Sequence, residues 1–195
     1  GEVKNRNYLE NDNLSSIYPY DLSKTCSDLI CQSYFTVYKL NVAIVRCGNL
    51  YGPGDFNLNR IIPESIISLI NNKRIKIRSS GKLVRDYLYV EDAVNAYYMI
   101  MKTLEKYKNK KLLIYNVGSK YNLSVLQLVN LILDLMKKKH LKPIIMNKSK
   151  QEINFQKLND NKIKRDLGWK QKVTLKSGLF KTIKWYKDNY KLFKK

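Results

Sequence analysis

The run Val42–Cys47 is short, mainly apolar and rich in β-branched side chains. Such a run is typical of a strand that is buried on both faces of a parallel sheet. Gly48, Gly52, Pro53 and Gly54 follow it and predict a loop. Parallel strands need long crossover connections, which are usually helices. The run therefore predicts an α/β fold, provided that helical patterns flank it.

Helical patterns do flank this strand. Pro19 suits a first helical position, and apolar residues spaced three or four apart predict a helix from Tyr18 to Tyr38. Further helices are predicted at 62–71, 91–106, 124–138, 160–167 and 175–190, and further strands at 76–78, 84–90, 113–117 and 144–146. Ser124 and Gln127 have the spacing of a capping box, and Gly168 suits a helix C-terminus. This alternation predicts a parallel sheet with right-handed crossovers.

Metal and disulfide chemistry have little support in the sequence. Cys26, Cys31 and Cys47 are an odd number of cysteines without metal-ligand spacing. Cys26 and Cys31 lie five residues apart in a predicted helix, a poor geometry for a disulfide, so we expect them to be buried thiols in a reducing cytosol. His140 is the single histidine, which leaves almost nothing from which to build a metal site or a histidine-based triad. No apolar run approaches the ~18 residues of a membrane helix. We expect a cytoplasmic protein that binds neither a metal nor a membrane.

The positive charge is concentrated in the second half of the chain. Residues 1–100 carry 12 Lys and Arg against 10 Asp and Glu, whereas residues 101–195 carry 25 against 6. Of these 25 cations 24 are lysine, whereas nucleic-acid sites usually rely on arginine and stacked aromatic residues. The charge could attract an anionic ligand, but a solvated lysine-rich surface explains it more simply. We do not expect a nucleic-acid partner.

Tyr20 and Lys24 stand four residues apart near the start of the first predicted helix, so they share one face. A phenol is a poor base at neutral pH, but a neighbouring ammonium group stabilises its phenolate. Such a pair can take a proton from a sugar hydroxyl while hydride leaves the same carbon. In a chain with 15 tyrosines and many lysines the spacing alone is weak evidence, so the neighbouring motifs decide its meaning.

Further motifs follow this pair in a definite order. They are Arg46-Cys47-Gly48-Asn49-Leu50-Tyr51-Gly52-Pro53-Gly54-Asp55, Arg60-Ile61-Ile62-Pro63, Arg85-Asp86-Tyr87-Leu88-Tyr89-Val90-Glu91-Asp92-Ala93-Val94, Tyr115-Asn116-Val117-Gly118-Ser119 and Leu167-Gly168-Trp169. The succession resembles the extended short-chain dehydrogenase/reductase superfamily of nucleotide-sugar epimerases and dehydratases, from Gly1 to about Tyr190. Within it the chain is most similar to the CDP-glucose 4,6-dehydratase branch, since dTDP-glucose dehydratases usually carry Trp where Tyr87 stands.

The resemblance implies a fold and a division of the chain. A Rossmann-type parallel sheet would be joined to a small α/β substrate-binding domain. Residues 1–60 would form the C-terminal part of the NAD-binding domain, and residues 61–195 mainly the nucleotide-sugar subdomain. A strand and a helix near residues 84–117 would return to the Rossmann domain. The parent enzyme would be a homodimer.

The resemblance also implies a role for each matching position. Tyr20 would be the catalytic acid/base, and Lys24 would hold the nicotinamide ribose of NAD and assist the tyrosine. Tyr20, Lys24 and Cys47 would contact the cofactor. The residues that would bind the nucleotide sugar are Asn49, Arg60, Ile62, Pro63, Arg85 and Asn116. Among them Arg85 would pair with the diphosphate, because a guanidinium fork matches phosphate oxygens.

Several motif residues have simpler, structural interpretations. Asp86 is expected to fix a turn, Asp92 to cap a helix, and Arg46 to pair with a carboxylate in the fold. Trp169 and Trp185 are expected to pack. Tyr51 and Tyr87 could either line a pocket or pack.

The G-x-G-x-x-G loop of dinucleotide-binding proteins does not occur in the sequence. The resemblance implies that this loop, together with the Ser/Thr-plus-acid pair that performs elimination, would precede Gly1, so the 195 residues alone are expected to be inactive. A nucleotide-sugar 4-epimerase remains an alternative, since it uses the same tyrosine and lysine without an eliminating acid. A basic nucleotide- or nucleic-acid-binding protein without turnover is a second alternative.

Overall fold

The computed structural model describes residues 6–16, 18–108, 110–148 and 153–194, so Gly1 lies outside the described residues. Its helices are α1 (Pro19–Tyr38), α2 (Ile61–Ile70), α3 (Val90–Glu105), α4 (Val125–Leu135), α5 (Asn161–Leu167) and α6 (Leu175–Asp188), with a 3₁₀ turn at Tyr190–Phe193. Its strands are β1 (Val42–Cys47), β2 (Asn49–Tyr51), β3 (Lys76–Ile77), β4 (Val84–Arg85), β5 (Tyr87–Tyr89), β6 (Leu112–Val117), β7 (Leu123–Ser124) and β8 (Ile144–Ile145).

Strand pairing confirms the predicted α/β fold. β1 pairs in parallel with β6, from Val42 opposite Leu112 to Cys47 opposite Val117. β2 with β5 and β3 with β8 are also parallel, whereas β4 and β7 are antiparallel. Both α1 and α3 contact β1. The carboxyl ends of β1 and β6 therefore lie at the same edge, which is where open α/β sheets usually bind ligands.

The structure differs from the sequence prediction mainly in short elements. β2 is a strand where a loop was predicted, because the Asn49 N–H donates to the Asp86 carbonyl at 2.6 Å and the strand pairs with β5. The strand predicted at 84–90 is divided into β4 and β5 at Asp86, and α3 begins at Val90. α4 ends at Leu135, earlier than predicted, since Lys137 adopts a left-handed φ of 56°.

The buried apolar side chains form two clusters. One lies between the β1–β6 pair and the helices α3 and α5, and its fully buried members include Leu88, Ile100 and Trp169. The other joins α2, α4 and α6 through residues such as Ile66 and Ile132. The two clusters do not divide strictly at residue 60, since Tyr51 belongs to the second and Trp169 to the first, and the predicted division of the chain stays a prediction.

Local signals in the sequence account for two helix ends. The Ser124 hydroxyl accepts from the Gln127 N–H at 3.2 Å, and the Gln127 side chain accepts from the Ser124 N–H at 2.8 Å. This confirms the capping box that begins α4. Gly168 ends α5 with a φ of 66°, a left-handed conformation that glycine adopts without a steric penalty.

Candidate functional site

Tyr20 and Lys24 lie together at the start of α1. Pro19 occupies the first helical position, and the Lys24 Nζ lies 5.6 Å from the centre of the Tyr20 ring. The Tyr20 side chain is 68% exposed. The predicted i, i+4 arrangement therefore forms, and the phenol faces solvent, where a ligand could reach it.

Cys47 and Asn49 lie on either side of Gly48 at the carboxyl end of β1. Cys47 is the last residue of β1, and Asn49 is the exposed first residue of β2. Burial raises the pKa of the Cys47 thiol to about 11, although a hydrogen bond with Tyr97 partly opposes this shift. A neutral thiol at this edge of the sheet can pack against a ligand but is a poor nucleophile.

The expectation that Cys26 and Cys31 are buried thiols is wrong, since both are exposed on α1, whereas Cys47 is half-buried. The helix is amphipathic by spacing, but the structure covers neither cysteine.

At pH 8 we expect Ellman's reagent to modify Cys26 and Cys31 at least about tenfold faster than Cys47, because a raised pKa lowers the thiolate fraction of Cys47. The slow phase of the reaction is assigned to Cys47 if a Cys47→Ser variant lacks it. Three thiols that react equally fast would contradict the burial of Cys47.

Arg85 lies in β4, and its guanidinium is partly buried. Its Nη1 donates to the carbonyl oxygens of Val84 at 2.9 Å and Ile153 at 2.6 Å. These contacts hold the side chain on a strand rather than on a loop. Its predicted contact with a diphosphate stays a prediction.

Asp86 is fully buried and connects three segments of the chain. Its carboxylate accepts from the Ser119 N–H at 2.7 Å and the Leu158 N–H at 3.1 Å. Gly48 and Gly118 pack so closely against Asp86 that a Cβ on either glycine would lie 2.7 Å from one of its oxygens. Burial raises the pKa of this carboxyl group, and the charge of Lys157 opposes that shift. These contacts give Asp86 a structural role, but its carboxylate joins distant segments at residues 119 and 158 rather than fixing a local turn.

Asn116 is only 1% exposed and is held by residues near the start of the chain. Its side-chain amide donates to the Tyr8 carbonyl at 2.9 Å, and its backbone N–H donates to the Glu10 carboxylate at 3.0 Å. One N–H of the side-chain amide is thus already in use inside the fold. The predicted contact of Asn116 with a nucleotide stays a prediction.

The Arg60–Pro63 motif presents one of its three predicted binding residues to solvent. The Arg60 side chain is 54% exposed and pairs with Asp55 at 3.2 Å. Ile62 and Pro63 are buried at the start of α2, against the core. Arg60 is therefore the member of this motif whose side chain a ligand can reach from solvent.

Asp92 does not cap α3, which corrects the sequence expectation. It is the third residue of α3, and its carboxylate accepts from the backbone N–H groups of Lys172 at 2.9 Å and Val173 at 3.0 Å. The indole N–H of Trp169 donates to the Asp92 carbonyl at 3.2 Å. Asp92 therefore attaches the segment after α5 to α3, and Trp169 packs as expected.

Tyr51 and Tyr87 are also buried. The Tyr51 hydroxyl donates to the Leu175 carbonyl at 3.3 Å, and a Cβ on Gly178 of α6 would lie 2.4 Å from the same hydroxyl. Packing is therefore the role that the structure gives these two tyrosines.

The expectation that Arg46 pairs with a carboxylate is confirmed. Its Nε lies 2.7 Å from Asp28 Oδ2, and its Nη1 donates to the Glu10 carbonyl at 2.7 Å. No sequence motif singles out Asp28 or Glu10. The one available signal is that Asp28 continues the four-residue spacing of Tyr20 and Lys24.

Two negative findings apply to the described residues. Within them, no group of three or more His, Cys, Asp and Glu side chains is placed to hold a metal ion. Of the helices in this part of the chain, none is long and apolar enough to cross a membrane.

Known proteins similar to this chain include dehydratases and an epimerase. The dTDP-D-glucose 4,6-dehydratase of Homo sapiens is 34% identical over 178 residues, which cover 88% of this chain and 49% of the human protein. A structure of dTDP-glucose 4,6-dehydratase from Bacillus anthracis in complex with NAD is 28% identical, with a TM-score of 0.86, and the match covers 98% of this chain and 59% of that one. A structure of UDP-glucose 4-epimerase with UDP-glucose from Thermotoga maritima is 25% identical, with a TM-score of 0.80 and coverage of 90% and 55%.

The chain spans about half the length of the curated relatives it matches. The structural matches show that it has the Rossmann-type α/β fold of dehydratases and epimerases. The model of the NAD dependent epimerase/dehydratase family matches residues 1–118, more than half of the chain. The chain therefore belongs to the NAD dependent epimerase/dehydratase family.

Proposed function

We propose that this chain carries the tyrosine–lysine pair and part of the sugar-nucleotide site of an NAD-dependent nucleotide-sugar 4,6-dehydratase. The observation that carries the proposal is the exposed Tyr20, with Lys24 beside it, on a helix that contacts β1. The dehydratases among the similar proteins support the choice of reaction.

The residues on α1 fit a nicotinamide cofactor. A phenol and an ammonium group on one exposed face can hydrogen-bond the hydroxyls of a ribose, since the ammonium offers three donors and the phenol both donates and accepts. We infer that Lys24 holds the nicotinamide ribose and that Cys47 packs nearby as a neutral thiol. When bound, NAD would be held by Lys24 and would supply the hydride acceptor and donor that link oxidation at the sugar C4 to reduction at C6.

Tyr20 would act on the proton of the sugar C4 hydroxyl. As a phenolate, Tyr20 would accept that proton. Before it does so, the Lys24 ammonium group would stabilise the negative charge on the phenolate oxygen. The resulting 4-keto group acidifies the C5 proton, which makes loss of water across C5 and C6 possible. The product is a 4-keto-6-deoxy sugar nucleotide.

Arg60, Arg85 and Asn49 are the polar residues that we propose for the sugar nucleotide. Arg60 and Asn49 are exposed, and Arg85 is half-buried on a strand. Guanidinium groups match the oxygens of a diphosphate. Ile62 and Pro63 would support the wall beside the nucleobase from the core, and Asn116 would hold the neighbouring strand end.

Replacing Arg85 with lysine should weaken nucleotide-sugar binding by about tenfold or more, since hydrogen bonds to charged groups are worth roughly 1.5–3 kcal/mol. A lysine keeps the charge but loses the fork, so NAD affinity should barely change. Calorimetry on the full-length protein with both ligands measures this. A lower melting temperature with unchanged nucleotide-sugar affinity would show that Arg85 only supports the fold through Ile153.

The proposed nucleotide is CDP, because Tyr87 and the neighbouring motifs resemble the CDP-glucose branch. The named dehydratases that match the chain act on dTDP-glucose, so dTDP is the second candidate. Incubating the full-length protein separately with CDP-glucose, dTDP-glucose and UDP-glucose, and identifying products by NMR, tests both. A 4-keto-6-deoxy product from CDP-glucose alone supports the first assignment, and one from dTDP-glucose alone supports the second.

The epimerase is a second candidate function, favoured by the match to UDP-glucose 4-epimerase. In the same experiment an epimerase would give a galactose nucleotide without a 4-keto product. That outcome would reject dehydration while leaving the role of Tyr20 intact. A homodimer and a cytoplasmic location stay predictions for the complete enzyme.

A further inference from the structure

Helix α1, which carries Tyr20 and Lys24, contacts β1. None of its residues from Pro19 to Tyr38 is buried, although the helix is 20 residues long. Large apolar side chains such as Leu29 and Ile30 are at least half exposed. The less exposed residues of α1 recur on one face, and most are polar: Asp21, Thr25, Asp28, Gln32 and Phe35. Polar contacts therefore form part of the link between α1 and β1.

One ion pair connects the two elements. Asp28 and Arg46 form a two-point contact, in which Arg46 Nε donates to Asp28 Oδ2 at 2.7 Å and Nη2 donates to Oδ1 at 3.2 Å. The side chains are only 10% and 18% exposed, so solvent screens this pair weakly. The Gln32 amide also donates to Asp28 Oδ1 at 2.7 Å. Because the guanidinium group makes two parallel hydrogen bonds, it fixes the orientation of α1 as well as the distance between α1 and β1.

The other side of Arg46 is tied to the sheet and to the start of the chain. Arg46 lies opposite Asn116 in the β1–β6 pair and immediately before Cys47. Its Nη1 donates to the Glu10 carbonyl, while the Glu10 carboxylate accepts from the Asn116 N–H. Glu10 thus closes a network that runs from α1 to the ends of both strands.

Asp28 is one helical turn beyond Lys24, as Lys24 is one turn beyond Tyr20. Residues at this spacing lie nearly above one another. A rotation or shift of α1 that breaks the Asp28 contact therefore moves Tyr20 and Lys24 relative to the edge of the sheet where the sugar would lie.

We propose that the Asp28–Arg46–Glu10 network positions the Tyr20–Lys24 pair for proton transfer. Asp28 and Arg46 are thus positioning residues that touch neither the substrate nor the cofactor. This inference rests on the proposed function, because it assumes that Tyr20 carries the proton. Misplacing a reacting group by about 1 Å can cost on the order of 10² in rate.

The test uses Asp28→Asn, Arg46→Met and the double variant in the full-length protein. Each single change should lower kcat by at least about tenfold while KM and NAD affinity stay within about threefold. The double variant should lose no more than the worse single variant, because both changes break the same contact. Hydrogen exchange should become faster in α1 and stay unchanged in α4.

Ile132→Val is the matched control, since it removes a methyl group from the fully buried core around α4. It should lower the melting temperature without changing kcat. If Arg46→Met does not fold, the nearly isosteric Asp28→Asn carries the test alone. A parent-like kcat in Asp28→Asn, or a kcat loss that only follows the loss of stability in both variants, would overturn the positioning role. Tyr20→Phe measured in parallel separates the two claims, since full activity in that variant would instead reject the proposed function.

Discussion

Replacing Tyr20 with phenylalanine is expected to lower turnover by on the order of 10²–10⁴ while leaving nucleotide-sugar binding nearly intact. The change removes one hydroxyl from a side chain that is 68% exposed, so the fold loses little. The phenyl ring keeps its place beside Lys24 but can no longer exchange a proton with the sugar. Steady-state kinetics and calorimetry on the full-length protein measure the two effects.

Tyr34→Phe is the matched control for this experiment. Tyr34 lies on the same helix, is 51% exposed and contacts Tyr38, outside the proposed site. It should have parent-like turnover. Unchanged turnover in Tyr20→Phe would remove Tyr20 from the catalytic role, and an equal loss in both variants would point to a general disturbance of α1.

Replacing Asp86 with alanine should cause the largest loss of stability. The change leaves the buried N–H groups of Ser119 and Leu158 without the carboxylate that they now share. An unsatisfied buried donor costs about 1–3 kcal/mol, so the free energy of unfolding should fall by several kcal/mol. Much of the stability of a domain of this size would be lost, since the usual total is about 5–15 kcal/mol.

Urea unfolding followed by circular dichroism measures this effect. Asp134→Ala is the control, because Asp134 pairs with Lys139 on the surface of α4 and half of its side chain is exposed. Such pairs contribute about 0–1 kcal/mol. If Asp86→Ala were as stable as this control, the described hydrogen bonds of Asp86 would not hold the three segments together.

The parts of the fold that were predictable are those with local signals. β1 is encoded by a continuous β-branched run, and the start of α4 by a capping box within four residues. The Tyr20–Lys24 pair follows from helical spacing alone. Each of these features is determined by residues that are close in sequence.

The remaining features depend on contacts between distant residues. Asp86 bonds to backbone groups 33 and 72 residues away, and Arg46 finds its partner 18 residues earlier. Sequence spacing shows that Arg46 needs a carboxylate but does not identify Asp28. The exposure of Cys26 and Cys31 was missed for a related reason: an amphipathic pattern indicates an apolar face, and it does not show whether anything in the described residues covers that face.

Isotope transfer tests the central claim most directly. The full-length protein would be given CDP-glucose or dTDP-glucose carrying deuterium at C4 of the sugar, and the product would be examined by NMR and mass spectrometry. The account predicts that the deuterium leaves C4 and is found at C6 of a 4-keto-6-deoxy sugar nucleotide, in a reaction that Tyr20→Phe slows. Deuterium that stays at C4 of a product that has kept its C6 hydroxyl would contradict a 4,6-dehydratase.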